Sequence, residues 1–185
     1  MRGFGRLWAA FAMGLFISLA IGCLGGNLPG LSIPSPLQPG TYAGSATTSM
    51  LVVERVTGST PVTERSELTD ILTLDIGPSG LPLWDGREVT VRAQKEVALG
   101  GLSLRTTASA VIVYSDEVIV EYTIDGTLES ANPGEVPLSL NGLGSSFYRA
   151  TGENEITVMR EMTLAHGDSN MVVTVDCNTV GVVTR

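Results

Sequence analysis

The chain predicts an all-β domain: an antiparallel up-and-down meander closed into a barrel or a strongly curled sheet. Three observations predict it. Apolar and polar residues alternate with period two through most of the sequence after residue 40. Turn formers separate the alternating runs at short intervals. No window beyond the N-terminal segment carries a helical apolar stripe. Long strands joined by short turns favour a meander. A β-sandwich is the alternative, but its usual cysteine pair around a buried tryptophan is absent.

Each element follows from its own pattern. Residues 41–56 read as one long strand with Tyr42, Gly44, Ala46, Met50 and Val52 inward. Residues 68–76 form a second, ended by Gly77-Pro78-Ser79-Gly80. Residues 88–97 form a third. Leu104, Thr106, Ala108, Ala110, Ile112 and Tyr114 make the next inward row. Val118, Val120, Tyr122, Ile124, Gly126 and Leu128 make the clearest one, with Glu117, Glu121, Asp125 and Glu129 on the opposite, wet face. Residues 130–146 contain Asn132-Pro133-Gly134 and Asn141-Gly142 and read as irregular, with a strand over 147–151 after them. Ile156, Val158, Met162 and Leu164 form another row, with Arg160 as the intruder. Met171, Val173, Val175, Cys177 and Val183 form the last. Eight or so strands result.

One register can be stated. Paired antiparallel residues share a face. If Tyr114 and Val118 are both inward, the shortest connection is a three-residue loop that places Ala110 opposite Tyr122. The small inward residues Gly44, Ala46, Ala108, Ala110 and Gly126 leave room for Tyr42, Tyr114, Tyr122 and Phe147, or for a ligand.

The N-terminus carries a different signal. Arg2 and Arg6 precede an uncharged, mostly apolar run over residues 7–21, and Gly22 stands before Cys23. A positive flank, a short apolar core and a small-residue end describe a secretory signal peptide over residues 1–22. A spanning helix needs about 20 apolar residues. The tetrad Ala20-Ile21-Gly22-Cys23 resembles the lipobox of bacterial lipoproteins. That resemblance implies cleavage between Gly22 and Cys23, lipid attachment to Cys23, and a bacterial envelope location. Leu24 after the cysteine resembles outer-membrane sorting if the host is Gram-negative. Residues 23–39 hold four prolines, three glycines and no charge. They read as a tether reaching about 50 Å when extended, or as a segment whose leucines dock on the domain. Residues 40–185 are long enough for one domain.

Losing residues 1–22 removes two of the 11 basic residues and none of the 19 acidic ones, leaving a net charge of about −10. That disfavours nucleic acid and electrostatic adhesion to anionic lipid, so the membrane partner is reached through the N-terminal lipid. Cys23 and Cys177 are the two cysteines; with Cys23 acylated, Cys177 stands alone as a buried, non-catalytic thiol. No cofactor motif and no metal spacing is present. His166, the one histidine, lies in the turn-rich run Ala165-His166-Gly167-Asp168 without a nucleophile elbow. Glu117, Glu121, Asp125 and Glu129 on one strand face read as solvated surface rather than a glycosidase pair.

Arg160 is the residue the pattern does not absorb. Buried, it requires an ion pair or an anionic ligand. A bulge near Met159 would instead turn it outward and send Met159 to the core. Gly40-Thr41-Tyr42 resembles the Gly-x-Trp that opens lipocalin-like barrels, which implies a carrier of a small apolar ligand. The sequence points first to a non-enzymatic envelope lipoprotein, a binding or interaction module whose partner is an envelope protein or a small apolar ligand. The lipocalin-like carrier comes second and an enzyme third. A large apolar cavity would select the carrier; a filled interior with an exposed apolar patch would select the interaction module.

Overall fold

The computed structural model describes residues 35–99, 102–128 and 137–185. The expected signal segment, Gly22, Cys23, most of the tether and Glu129 lie outside the described residues. All regular structure among the described residues is strand. In chain order these are β1 (Gly40–Val56), β2 (Val62–Ile76), β3 (Leu83–Trp84), β4 (Arg87–Glu88), β5 (Gln94–Leu99), β6 (Leu102–Val113), β7 (Glu117–Leu128), β8 (Leu138–Gly152), β9 (Glu155–Gly167) and β10 (Met171–Thr184).

Eight of them form one antiparallel sheet in the order β2-β1-β10-β9-β8-β7-β6-β5, and β3 pairs with β4. The connectivity is the expected meander, with the last strand returning to pair with the first. Among the described residues no ladder joins β2 to β5. The sheet is therefore strongly curled rather than closed by hydrogen bonds. Curling lets the inner faces of distant strands bury one another. Tyr42, Val118, Val120, Ile124, Leu140, Tyr148, Ile156, Val158, Leu164 and Val175 are essentially inaccessible to solvent. The outer face carries exposed Glu121, Asp125, Glu161 and Arg105 together with exposed Leu143, Met159, Val180 and Val182.

The β3–β4 hairpin turns at Asp85 and Gly86, whose φ angles of 49° and 76° are those of a two-residue Asp-Gly turn. It brings Trp84 into the core, edge-on to Tyr122 with ring centroids 6.0 Å apart. The expected strand over residues 88–97 is broken here. Arg92 has φ 74°, which no strand residue adopts, and the amide of Ala93 folds back onto the carbonyl of Thr90 at 2.9 Å. Strand pairing resumes only at β5.

Two other expectations are corrected. β8 begins at Leu138, so residues 138–146 are not irregular. Asn141-Gly142 sits within β8, paired to both neighbours. The glycines of this strand serve close approach rather than turning: a Cβ on Gly144 would lie 2.5 Å from the Tyr122 ring. Next, β2 begins at Val62, earlier than expected, because its first half is an exposed ribbon without apolar alternation. The last residues of the segment expected as a tether, 35–39, pack on the domain, the docking that the sequence left open as its alternative. Leu37 is buried, the Tyr42 hydroxyl donates to the carbonyl of Gln38 at 3.0 Å, and the Ser35 hydroxyl donates to that of Gly80.

The β6–β7 register also differs from expectation, in an instructive way. Near the turn, Val113 pairs with Val118, and the Tyr114 amide donates to the Glu117 carbonyl at 2.8 Å. The loop is therefore two residues, Ser115 and Asp116, and paired numbers sum to an odd value. Farther down, Ala108 pairs with Tyr122 and Leu102 with Leu128, an even sum that keeps both apolar rows inward. A bulge between Ala108 and Ala110 reconciles the two halves. Ala110 consequently faces Glu121, not Tyr122. Above the bulge Val111 and Val113 pack on the core, while Ala110, Ile112 and Tyr114 shift to the outer face. Tyr114 and Phe147 do not fill the interior; Tyr42, Tyr122 and Tyr148 do.

Candidate functional site

The buried polar side chains are Thr48, Thr106, Ser146 and Thr179, and three of them fall on one rung. Thr48 pairs with Thr179, Thr179 with Arg160, and Arg160 with Ser146. These four side chains belong to β1, β10, β9 and β8 and lie side by side. The Thr48 and Thr179 hydroxyls share a hydrogen bond of 2.8 Å, and the Ser146 hydroxyl donates to that of Tyr122 at 3.3 Å. Lys95 enters from the edge strand β5, where parity places it inward with Val97 and Leu99. Thr106 secures that part of the strand by donating to the Lys95 carbonyl at 3.0 Å.

Together with Trp84, Val97, Leu99, Tyr148 and Met162 these groups line a partly open cavity of about 70 Å³. Among the described residues no Asp or Glu lines it. Burial holds the Lys95 ammonium below the ordinary lysine range, and the Arg160 charge pushes the same way; Asp85 and Asp75 oppose more weakly. Burial raises the Tyr122 hydroxyl, so it stays a neutral donor.

Arg160 is thus inward, as its position in the apolar row requires. The ladder runs without a break through Met159 and Arg160 on both sides, and Met159 is 42% exposed. The bulge that would turn Arg160 outward does not occur. Among the described residues the ion pairs are Arg105–Glu96, Arg149–Asp116, Arg149–Glu117 and His166–Asp168, so no carboxylate lies within 4.0 Å of Arg160. Among the described residues Arg160 thus shows neither the ion pair nor the outward turn that the sequence left open.

The other candidates stay apart. His166 ends β9, with Nδ1 2.9 Å from the carbonyl oxygen of Ser139 and Nε2 3.9 Å from Asp168. Asp168 caps the turn by accepting the amides of Asn170 and Met171, which hold its carboxyl below the usual range. No nucleophile is hydrogen-bonded to His166 among the described residues. Glu117 pairs with Arg149 at 3.1 Å, while Glu121 and Asp125 are exposed. Among the described residues no three acids, cysteines or histidines converge as metal ligands. Cys177 is fully buried, and burial pushes its thiol up to about 11.

A lipocalin-like carrier needs an apolar cavity of roughly 300 Å³ or more. The inner cavity is far smaller and is polar on one side. A larger space of about 730 Å³ is an open groove with mixed lining that includes Glu96, Arg105, Asp125 and Asn141, not a lumen. The expected carrier is therefore not supported.

The outer face carries a second departure from pattern. Ile112 pairs with Ile119, Ile119 with Phe147, Phe147 with Met159, and Met159 with Val180. These five apolar residues form one continuous row across β6, β7, β8, β9 and β10. Val180 is 54% exposed. The adjacent row contains Glu121, Ser145, Glu161 and Asn178, so an acidic rim borders the apolar strip.

Lys95, Thr48, Thr179 and Ser146 were not singled out by sequence. One signal was present: the apolar rows of β1, β9 and β10 each break at one inward position, Thr48, Arg160 and Thr179. That these breaks share a rung follows only from the register.

Comparison with protein-family models and with curated proteins gives no match. Among solved structures, the chain is similar to Ail, the attachment invasion locus protein of Yersinia pestis, with a TM-score of 0.39 and 8% identity over 79% of this chain and 99% of that one.

Proposed function

We propose that the protein is a lipid-anchored, non-enzymatic interaction module of a bacterial envelope, whose outer sheet face receives a partner protein. The observation that carries this reading is the apolar row from Ile112 to Val180. A water-facing sheet places charge or hydroxyls at such positions, and a contiguous exposed apolar strip marks a contact surface. Its acidic rim fits a partner with an apolar centre and a basic border, and opposes an anionic lipid surface. The filled interior supports the same reading. Anchoring rests on Gly22-Cys23 at the end of the signal-like segment, and the uncharged residues after Cys23 give the domain reach.

Photo-crosslinking amino acids at Met159 and Val180, with Glu121 and Glu161 substituted likewise as a test of the rim, check the interface in intact cells. The expected result is one protein adduct of defined mass from Met159 and Val180, which disappears with Phe147→Glu. Adducts equally strong from Ser103 and Asp176, away from the strip, or none from Val180, would overturn it. Mass spectrometry of the native N-terminus checks the anchor. An acylated Cys23 is expected, and an intact Met1 would refute cleavage at Gly22.

A further inference from the structure

We infer that the inner cavity is a binding site for a phosphate dianion, free or carried as a monoester, held between Lys95 and Arg160. The inference does not depend on the outer-face interface.

The basic residues themselves argue for it. After Cys23 there are nine, and seven of them, Arg55, Arg65, Arg87, Arg92, Arg105, Arg149 and Arg185, are exposed. Only Lys95 and Arg160 are withdrawn from the surface, and both line the same small cavity. Two like charges brought together on an apolar face cost stability unless an anion joins them. Among the described residues no carboxylate lines the cavity, although the chain is strongly acidic and an internal partner would have been simple to supply. A site built for an external anion has to keep its cations free of internal ones.

The donor set specifies the anion. A guanidinium offers a planar fork suited to oxyanions. The ammonium adds a point charge, and two positive charges match the charge of a phosphate monoester near neutral pH, roughly −1.5 to −2. Hydroxyls surround the pair: Ser146 and Tyr122 on one side, Thr48 and Thr179 on the other. They can rotate to donate to oxygens that the two cations do not reach. A carboxylate would neutralise one charge and leave the other exposed to an apolar wall.

Size limits the rest of the ligand. About 70 Å³ is roughly the share of liquid volume held by two waters, room for an oxyanion head and little more. Any organic substituent must lie along the apolar lining, where Trp84, Val97 and Leu99 stand. Trp84 belongs to the β3–β4 hairpin and contacts Tyr122 edge-on, so the hairpin completes the wall facing the rung.

Calorimetric titration of the mature full-length protein tests the site with three probes: inorganic phosphate, hexyl phosphate and hexanoate. Phosphate should bind, and hexanoate should bind at least about tenfold more weakly. Equal affinities for phosphate and hexyl phosphate assign the free ion; tighter hexyl phosphate assigns an ester. Arg160→Met and Lys95→Met should each weaken phosphate binding by about tenfold or more, a change of about 1.4 kcal/mol. Arg105→Met, an exposed paired arginine, should leave it unchanged. Far-ultraviolet circular dichroism of each variant checks folding, and Lys95→Met on an edge strand keeps the test open if Arg160→Met misfolds. No phosphate binding up to about 10 mM, or undiminished binding in Lys95→Met, would overturn the site. A hexanoate affinity equal to that of phosphate would overturn the dianion assignment.

Discussion

Replacing Arg160 with methionine should stabilise the ligand-free domain. The guanidinium is half-buried in an apolar row, between Val158 and Met162 on its own strand, with no carboxylate within 4.0 Å among the described residues. Methionine keeps the unbranched stem and its packing while deleting the charge. Two unfavourable contributions disappear: the desolvation of the guanidinium and its repulsion of Lys95, whose ammonium it already pushes down. Full burial of an unpaired ion costs several kcal/mol. Half-exposure and water access reduce that, so the expected gain is about 0.5–2 kcal/mol, the range common for single stabilising substitutions. For a domain of this length that corresponds to a rise in Tm of roughly 1–8 °C. Urea unfolding of both proteins in phosphate-free buffer measures it, with equal m-values required so that the midpoint shift reports stability alone. A loss of more than about 1 kcal/mol would refute the reasoning, since it would mean that Arg160 makes a structural bond the sheet depends on.

Three further outcomes are expected. Gly144→Ala should cost about 1–3 kcal/mol in thermal or urea unfolding, because its Cβ would stand 2.5 Å from the Tyr122 ring and 2.8 Å from the Glu161 carbonyl oxygen; an unchanged midpoint would contradict the packing. Deleting Ser109 should cost less than about 1 kcal/mol, since removing the bulged residue leaves Ala108 inward, Ala110 outward and Val111 inward, whereas deleting Thr123 from β7 should unfold the domain by reversing half a strand. Cys177 should resist thiol reagents in the folded domain and react quickly after unfolding. Its folded thiol titrates near 11, above the unfolded value of roughly 8.5, so the unfolded state loses its proton first. That stabilising contribution is complete below pH 8 and is lost as pH rises toward 11; the stability difference between the protein and Cys177→Ala should shrink over that interval.

Most of the sheet was legible because alternation is a local signal. Val118 to Leu128 has an apolar residue or glycine at every second position, and the structure buries that face. The rows ending β9 and β10 read equally well, and Cys177 could be placed inside from its neighbours alone. The errors fall where a residue type serves two physical purposes. Asn141 and Gly142 have turn chemistry, yet they lie within β8: Asn141 points to the exposed outer face, and the backbone of Thr163 and Leu164 leaves no room for a Cβ on Gly142. Residues 88–97 alternate well enough for a strand, but Arg92 at positive φ breaks it so that the chain can carry Trp84 inward and return to β6.

The bulge in β6 shows the limit most clearly, and the same limit hid the site. Parity correctly demanded an even sum for the rows from Leu102 to Ala108 and from Tyr122 to Leu128. What parity cannot see is that the turn and the core may disagree. A two-residue turn at Ser115-Asp116 imposes an odd sum, and one extra residue between Ala108 and Ala110 absorbs the conflict. The cost of the alternative explains why. Keeping the odd sum along all of β6 would turn Leu102, Leu104 and Ala108 to solvent, several kcal/mol at about 25 cal/mol per Å², against a local kink at one exposed serine. Once strands are aligned by such compromises, positions that look like unrelated lapses become neighbours. Thr48, Arg160 and Thr179 are separated by more than a hundred residues in sequence between first and last; the two threonines alone are ordinary polar interruptions of an apolar row, and Arg160 alone stands out without showing its neighbours. On one rung, with Ser146 beside them and Lys95 lining the same cavity, they are a site.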